Sequence, residues 1–272
     1  VLHRVYLARP EQGGVGATIQ RLAAARAVPV EIRPRTDLDR LARGAPHQGI
    51  LAAAGPFPYA ASDEVVRQSL RASGAAFLVA LDGIVDPQNL GAILRSAEAA
   101  GTHGLILPRD RAAGVSPAVV RASAGAAEHV PVARVTNLAA FLDWGKGQGL
   151  WVVGTDPAGG TTLYEADLTA SLVLVIGAEE RGIRPLVKRR CDLRVRIPMG
   201  GKVGSLNASA AAAVCLYEVV RQRRSAGQSP TGAAAAAGGD AGSRESSSVT
   251  PLPGDRGGTG GAGTDAGKKC LH

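Results

Sequence analysis

Three glycine-rich segments hold the residues whose types and spacing could do chemistry: LDGIVDPQNLGAILRSAEAAG (81–101), LVIGAEERGI (174–183) and IPMGGKVGSLNASAAAAVCLYE (197–218). Each stands at the end of a short apolar run that reads as a strand, and ligands of an open parallel sheet bind beyond the carboxyl ends of its strands. Familiar nucleotide motifs are missing. No GxGxxG follows the first strand, and GGKVGS (200–205) does not have the GxxxxGK[ST] order of a phosphate-binding loop, which argues against a conventional nicotinamide or ATP site. Cys191, Cys215 and Cys270 are odd in number and lack metal-ligand spacing. Neither a zinc site nor a disulfide scaffold is expected, and a reducing compartment, the cytoplasm, is.

Taken by residue type alone, several candidates have ordinary structural readings. Asn89 can cap a helix, Ser205 stands where serine caps the last helix, and Arg95 with Glu98 can form a solvated i, i+3 pair. Glu179 in a glycine-flanked loop would ordinarily be solvated, Ile197 and Leu206 would ordinarily be core, and His47 reads as a loop residue near a strand.

The elements that must position these residues are legible in outline. Between 77 and 224, apolar runs alternate with amphipathic stretches, and the strands are FLVAL (77–81), GLILP (104–108), VPVAR (130–134), LWVVG (150–154), LVLVIG (172–177) and LRVRIP (193–198). Helices open at Asn89, at Ser116-Pro117 and at Asn137, Gly101 closes the first of them, and a last helix spans 205–223. The alternation predicts an α/β fold with a mostly parallel sheet covered on both faces. Residues 1–60 read as a smaller β-α-β-α-β unit, 61–76 as a polar linker, 77–224 as the main domain, and 225–272 as a disordered low-complexity tail with almost nothing to bury.

Lys and Arg number 31 against 23 Asp and Glu, a net charge of +8. The tail is neutral, so the excess lies in 1–224, and the first 60 residues, with eight Arg and four acids, carry half of it. Such a surface favours a polyanion. Aromatic residues are only 3% of the chain, so nucleic-acid binding must use charge and backbone donors more than base stacking. No apolar run reaches the roughly 18 residues a membrane helix needs, and no membrane partner is expected. The chain begins at Val1 without a Met, so its true start is expected to be missing.

Together the three segments resemble the three motifs of the SpoU-type (TrmH-like) RNA ribose 2′-O-methyltransferases of the SPOUT superfamily, over residues 75–224. The stretch LDRLARGAPHQGILA (38–52), which includes His47, is similar to the end of the small ribosomal-L30-like RNA-binding domain that precedes the catalytic domain in this family. The subgroup it looks most like methylates a guanosine of 23S rRNA. Two departures from the family are expected: an RNA-binding unit that is N-terminally incomplete, its usual opening strand and helix falling before Val1, and a low-complexity tail that is not a family feature.

The resemblance implies a sheet whose C-terminal part threads a trefoil knot, S-adenosylmethionine bound bent in that knot, a homodimer, RNA as substrate and no metal. It also implies roles. Arg95 would lie at the reacting hydroxyl, Asn89 would support the active-site loop, Glu179 would hold Asn89 or Arg95, and Ser205 and Asn207 would face the methyl-transfer site. Gly177, Ile197, Met199 and Leu206 would give backbone groups and apolar walls to the cofactor, with Thr155 a weaker candidate. The family proposal makes the arginine the base. A guanidinium has no acceptor to offer, so orientation of the hydroxyl and phosphate is the preferred role for Arg95. Rival readings are a tRNA or resistance-type rRNA methyltransferase and a non-catalytic RNA-binding relative. The N-terminal unit with its HQG favours rRNA, and intact Arg95, Glu179, Ser205 and Asn207 argue against a dead enzyme.

Overall fold

Alternation along the first strand, β1 (Leu2–Leu7), sorts a small N-terminal sheet into two faces: Val5 and Leu7 are buried, whereas Arg4 and Tyr6 are half-exposed. The computed structural model describes residues 2–9, 14–72, 74–179, 181–202 and 204–228. In this first unit β1 pairs in parallel with β2 (Val30–Ile32) and antiparallel with β3 (Ile50–Ala54). Helices α1 (Gly14–Ala25) and α2 (Arg35–Ala42) add Ala23 and Leu38 to its buried set. The β-α-β-α-β order expected from the sequence is thus present.

Helix α3 (Ser62–Arg71) occupies most of 61–76. That stretch is not a linker. Val65 and Val66 are fully buried in the main core, and a Cβ on Gly104 would meet Val65 Cγ1 at 2.4 Å, so the helix packs tightly on the sheet. Its polar residues face water as the ion pairs of Arg67 with Asp63 and Glu64.

The main sheet contains β4 (Phe77–Asp82), β5 (Gly104–Pro108), β6 (Val132–Val135), β7 (Trp151–Thr155), β8 (Thr161–Thr162), β9 (Leu172–Gly177) and β10 (Leu193–Arg196). Their order is β6-β5-β4-β9-β7-β10-β8 and all the pairings are parallel. Every residue of β4 and of β9 is buried because helices cover both faces, which is why these strands read as unbroken apolar runs. The two-residue period then divides them. Phe77, Val79 and Leu81 join the core under α4 (Pro87–Ala99), α5 (Pro117–Ala122) and α8 (Ala208–Ser225). Leu78 and Ala80 join the core under α3, α6 (Leu138–Gly147) and α7 (Pro185–Lys188). Each fully buried Leu or Ile on these faces contributes roughly 1.5–3 kcal/mol.

Helix starts agree with the sequence at Ser116 and Asn137, whose side chains accept from Val119 N–H and Ala140 N–H. Two starts differ. Asp86, not Asn89, caps α4 by accepting from the N–H groups of Gln88 and Asn89, and Pro87 follows at the position that needs no donor. The last helix starts at Ala208 and not at Ser205, and Asn207 is its cap. At the far end of α8, Arg223 donates to the carbonyls of Ala75, Ala76, Leu168 and Ala170 and lies 4.9 Å over the Phe77 ring, so burial without a carboxylate pulls its pKa down to about 10. The low-complexity tail from 229 onward lies outside the described residues.

Contact between α4 and α5 depends on Gly91. A Cβ there would lie 2.4 Å from Ala122 Cβ and 3.0 Å from the Ala122 and Ser123 backbone. Alanine would gain about 1 kcal/mol of helix propensity, against an overpacking cost of about 1–3 kcal/mol when a packed backbone must move. Gly91→Ala is therefore expected to lower the thermal midpoint by a few degrees in a calorimetric scan; an unchanged or higher midpoint would mean that the helices have room.

Candidate active site

Because the central strands are parallel, their carboxyl ends open on one side, and β4, β9, β7 and β10 deliver the loops that begin at Asp82, Gly177, Thr155 and Arg196 to that side. Two buried carboxylates anchor these loops. Asp82, fully buried, accepts from the Arg184 backbone N–H at 2.7 Å and from its Nε at 2.6 Å, tying the loop after β9 to the end of β4. Asp156, 4% exposed, pairs with Lys188 at 2.9 Å and Arg194 at 3.2 Å and accepts from Ala158 N–H. Burial alone would raise its pKa, but Lys188, the Ala158 amide and Arg194 outweigh that and hold the carboxyl below its ordinary range. Sequence reasoning missed both acids, although an aspartate closing an otherwise apolar strand, as in FLVALD (77–82), is a readable signal.

The first cleft, about 270 Å³, is lined by Thr155, Gly177, Ile197, Met199, Ser205 and Leu206 together with Ile176, Glu179 and Lys188. All four residues expected to form cofactor walls are here, and Thr155 is too. Gly177 also serves the protein's own backbone. Its missing side chain makes room for the protein's own loop, since a Cβ would stand 2.2 Å from the carbonyl carbon of Gly182 and 2.4 Å from Ile183 N. The loop is closed by reciprocal hydrogen bonds between the backbones of Ala178 and Gly182, the latter at φ +59°.

Asn89, Glu179 and Asn207, one from each motif, meet at the edge of this cleft. The Asn207 Nδ2 donates to Asn89 Oδ1 at 3.0 Å and to Glu179 Oε2 at 3.2 Å. Its Oδ1 accepts from the N–H of Ser209 at 2.9 Å and from the Ser209 hydroxyl at 2.6 Å. Arg95 is not in the cluster. It is exposed on α4, lines neither this cleft nor the neighbouring cavity, and makes no hydrogen bond or ion pair among the described residues, so the expected pairing with Glu98 does not form.

Other polar candidates are structural. His47 accepts from Gly49 N–H through Nδ1 and lies 2.8 Å from Asp39 Oδ1 through Nε2, which fixes its ring beside the turn at Gln48 and Gly49. Burial pushes the thiols of Cys191 and Cys215 up to about 11 and about 12, so neither is poised as a nucleophile. Among the described residues there is no group of three or more His, Cys, Asp or Glu side chains able to hold a metal ion, and no helix long and apolar enough to cross a membrane.

With this geometry in hand, the chain can be set beside known proteins. Residues 76–217 match the family model described as the SpoU rRNA Methylase family, and residues 2–60 match the one for RNA 2′-O ribose methyltransferase substrate binding. A Bacillus subtilis protein, YacO, named as belonging to the TrmH family of tRNA/rRNA methyltransferases, is 40% identical over 84% of this chain and 91% of its own. The 23S rRNA (guanosine-2′-O-)-methyltransferase RlmB of Pseudomonas aeruginosa is 44% identical over 75% of this chain and 82% of its own. The crystal structure of the SpoU methyltransferase AviRb from Streptomyces viridochromogenes in complex with AdoMet superposes with a TM-score of 0.70 at 30% identity, covering 83% of this chain and 84% of that one.

Asn207→Ala removes a helix cap and the link between the other two motif residues. The loss in urea unfolding free energy is expected to be about 1 kcal/mol, typical of a cap. A loss well above 2 kcal/mol would show that the exposed cluster supports the core as well as the site.

Proposed function

Because the chain belongs to the SpoU rRNA methylase family, it is an RNA ribose 2′-O-methyltransferase that uses S-adenosylmethionine, and we propose that its target is a guanosine of 23S rRNA. The observation that carries this reading is the hydrogen-bonded convergence of Asn89, Glu179 and Asn207 at the mouth of an apolar cleft. The named relative that acts on 23S rRNA spans most of this chain, and the basic unit at 2–60 matches a substrate-binding model, which supports rRNA over tRNA. We assign that unit to RNA selection, the sheet of β4 to β10 to methyl transfer and the C-terminal threading to a trefoil knot. The cytoplasm is the compartment that fits the substrate.

The cleft fits the cofactor chemically. Ile176, Ile197, Met199 and Leu206 form an apolar wall for a flat adenine ring, and Glu179 sets a carboxylate at the rim for a molecule that carries positive charge. When bound, S-adenosylmethionine supplies an electrophilic methyl group. The protein must bring a ribose 2′-oxygen into line with it. Asn207 holds Asn89 by its carbonyl oxygen, which leaves the Asn89 amino group for the substrate, and it fixes Glu179 beside the cleft. Ser205 lines the cleft two residues before the cap and offers a hydroxyl to the transfer site.

Arg95 stands apart from this cluster, with an unpaired, exposed guanidinium. We assign it to the cleft of a second copy in a homodimer, where it orients the hydroxyl and the adjoining phosphate while phosphate oxygen helps accept the proton. Arg95→Ala is expected to cut single-turnover methylation of a 23S rRNA transcript by on the order of 10²–10³ and to leave calorimetric cofactor affinity nearly unchanged. Normal turnover would refute the role. Mixing Arg95→Ala with Glu179→Ala subunits is expected to recover part of the activity, and light scattering to give a dimer; a monomer at micromolar protein would exclude the shared site.

A further inference from the structure

A second cavity, about 730 Å³, opens beside the Asn89–Glu179–Asn207 cluster and contains cations that the cluster does not use. Asp82, Asp86 and Glu179 are its carboxylates, and each is engaged. Asp82 is taken by Arg184, Asp86 accepts from the first turn of α4, and Glu179 accepts from Asn207. Arg184 is thereby neutralised. Arg111 and Arg181 line the same cavity, are exposed, and have no hydrogen bond or ion pair among the described residues.

Arg111 is held where it is against its backbone preference. Its φ of +57° lies in the left-handed region that a non-glycine residue rarely adopts. The loop is pinned on both sides: Arg109 N–H donates to Val135 O and the Arg134 guanidinium to Arg109 O, while Ala113 N–H donates to Ile84 O at 2.8 Å and Val115 N–H to the Tyr59 hydroxyl at 2.8 Å. Tyr59 belongs to the segment that leads from the N-terminal unit into α3, so the same hydroxyl that fixes the Arg111 loop sits on the chain arriving from the basic unit. Glu179, Arg181, Ala178 and Gly182 line both this cavity and the apolar cleft, which places the two side by side.

We propose that Arg111 and Arg181 form a seat for a phosphodiester of the RNA strand, next to the ribose presented to the methyl donor. A guanidinium prefers the paired oxygens of a phosphate, and a 2′-hydroxyl is always flanked by the 3′-phosphate of its own nucleotide. Two unpaired guanidiniums beside the transfer cleft therefore select a backbone-linked ribose over a free nucleoside. This assignment rests on the RNA-methylation reading above.

The test uses the full chain with Arg111→Asn, Arg181→Ala and Arg111→Lys, with Arg121→Ala, exposed on α5 and outside the cavity, as control. Asparagine tolerates the left-handed backbone, so the Arg111 loop keeps its conformation. The probe is an in vitro transcript of 23S rRNA. Arg111→Asn and Arg181→Ala are each expected to lower the slope of log affinity against log salt by about 0.7–1. The RNA KM should rise roughly tenfold, the scale of one lost charge-assisted contact, with cofactor affinity within about twofold of wild type by the same reasoning. Arg111→Lys should keep the salt slope while the RNA KM still rises, because lysine keeps the charge and not the two-pronged contact. Wild-type slope and KM in both variants, with methylation intact, overturn the phosphate seat and leave the function standing. Loss of cofactor affinity in step with RNA affinity also overturns it, by moving the arginines to the other cleft. A wild-type protein that binds the transcript and transfers no methyl group removes the methylation reading, while the salt slopes still decide the seat; one that binds no RNA removes both.

Discussion

The side chain of Asn207 is the constraint on which the active side of this protein depends. An asparagine has two N–H donors and two acceptor lone pairs, and here all four are engaged. The acceptor end starts α8, whose Ala212, Cys215, Leu216 and Val219 fill one core of the sheet. The donor end reaches Asn89 on α4 and Glu179 after β9. A single planar amide therefore fixes the start of one helix and the spacing of two loops that are distant in sequence. These bonds are exposed to water, so each contributes little to stability, and their effect is orientation. The same bonds would strengthen once a ligand excluded water from the cleft.

Beneath the exposed cluster lie two acids whose charge is already taken up by the protein. Asp82 and Asp156 are buried, each satisfied by arginine or lysine and by a backbone N–H. Deleting one partner of such a pair strands a buried charge, at a cost of about 3–5 kcal/mol. Buried ion pairs therefore hold the loops, and solvated polar groups present the chemistry. The separation lets the outer residues change with little effect on the fold. Gly177 belongs with the first group, because it admits the backbone of Gly182 and Ile183 and so shapes the loop that carries Glu179.

Connection to the N-terminal unit is made by a few residues with specific contacts. Ala60 N–H donates to Val132 O, and Tyr59 packs edge-on against Phe57 with the Arg134 guanidinium 5.2 Å from its ring centroid. This short segment touches the edge strand β6 and the loop after β5, so the path from the basic unit to the catalytic sheet runs past the second cavity.

Much of the fold was legible in the sequence because the strands of a sheet covered on both faces are continuous apolar runs, and β4, β5 and β9 stand where those runs predict. The caps at Ser116 and Asn137 were equally plain, since each is a good cap type with no competitor nearby. Asp86 and Asn89, three residues apart, are both suited to cap α4, and the signal that separates them is Pro87, which fits the first helical position directly after Asp86. Helix α3 escaped notice because only one narrow face, at Val65, Val66 and Ser69, is buried, and a polar majority reads as a linker. The motif residues were identified by type and position, but their relations were tertiary: parallel strand order brought Asn89, Glu179 and Asn207 within hydrogen-bond reach and left Arg95 outside. Sequence determined which groups the protein has at its strand ends; packing alone decided which of them share a proton, because a hydrogen bond requires contact within about 3 Å between residues that lie up to 118 positions apart in the chain.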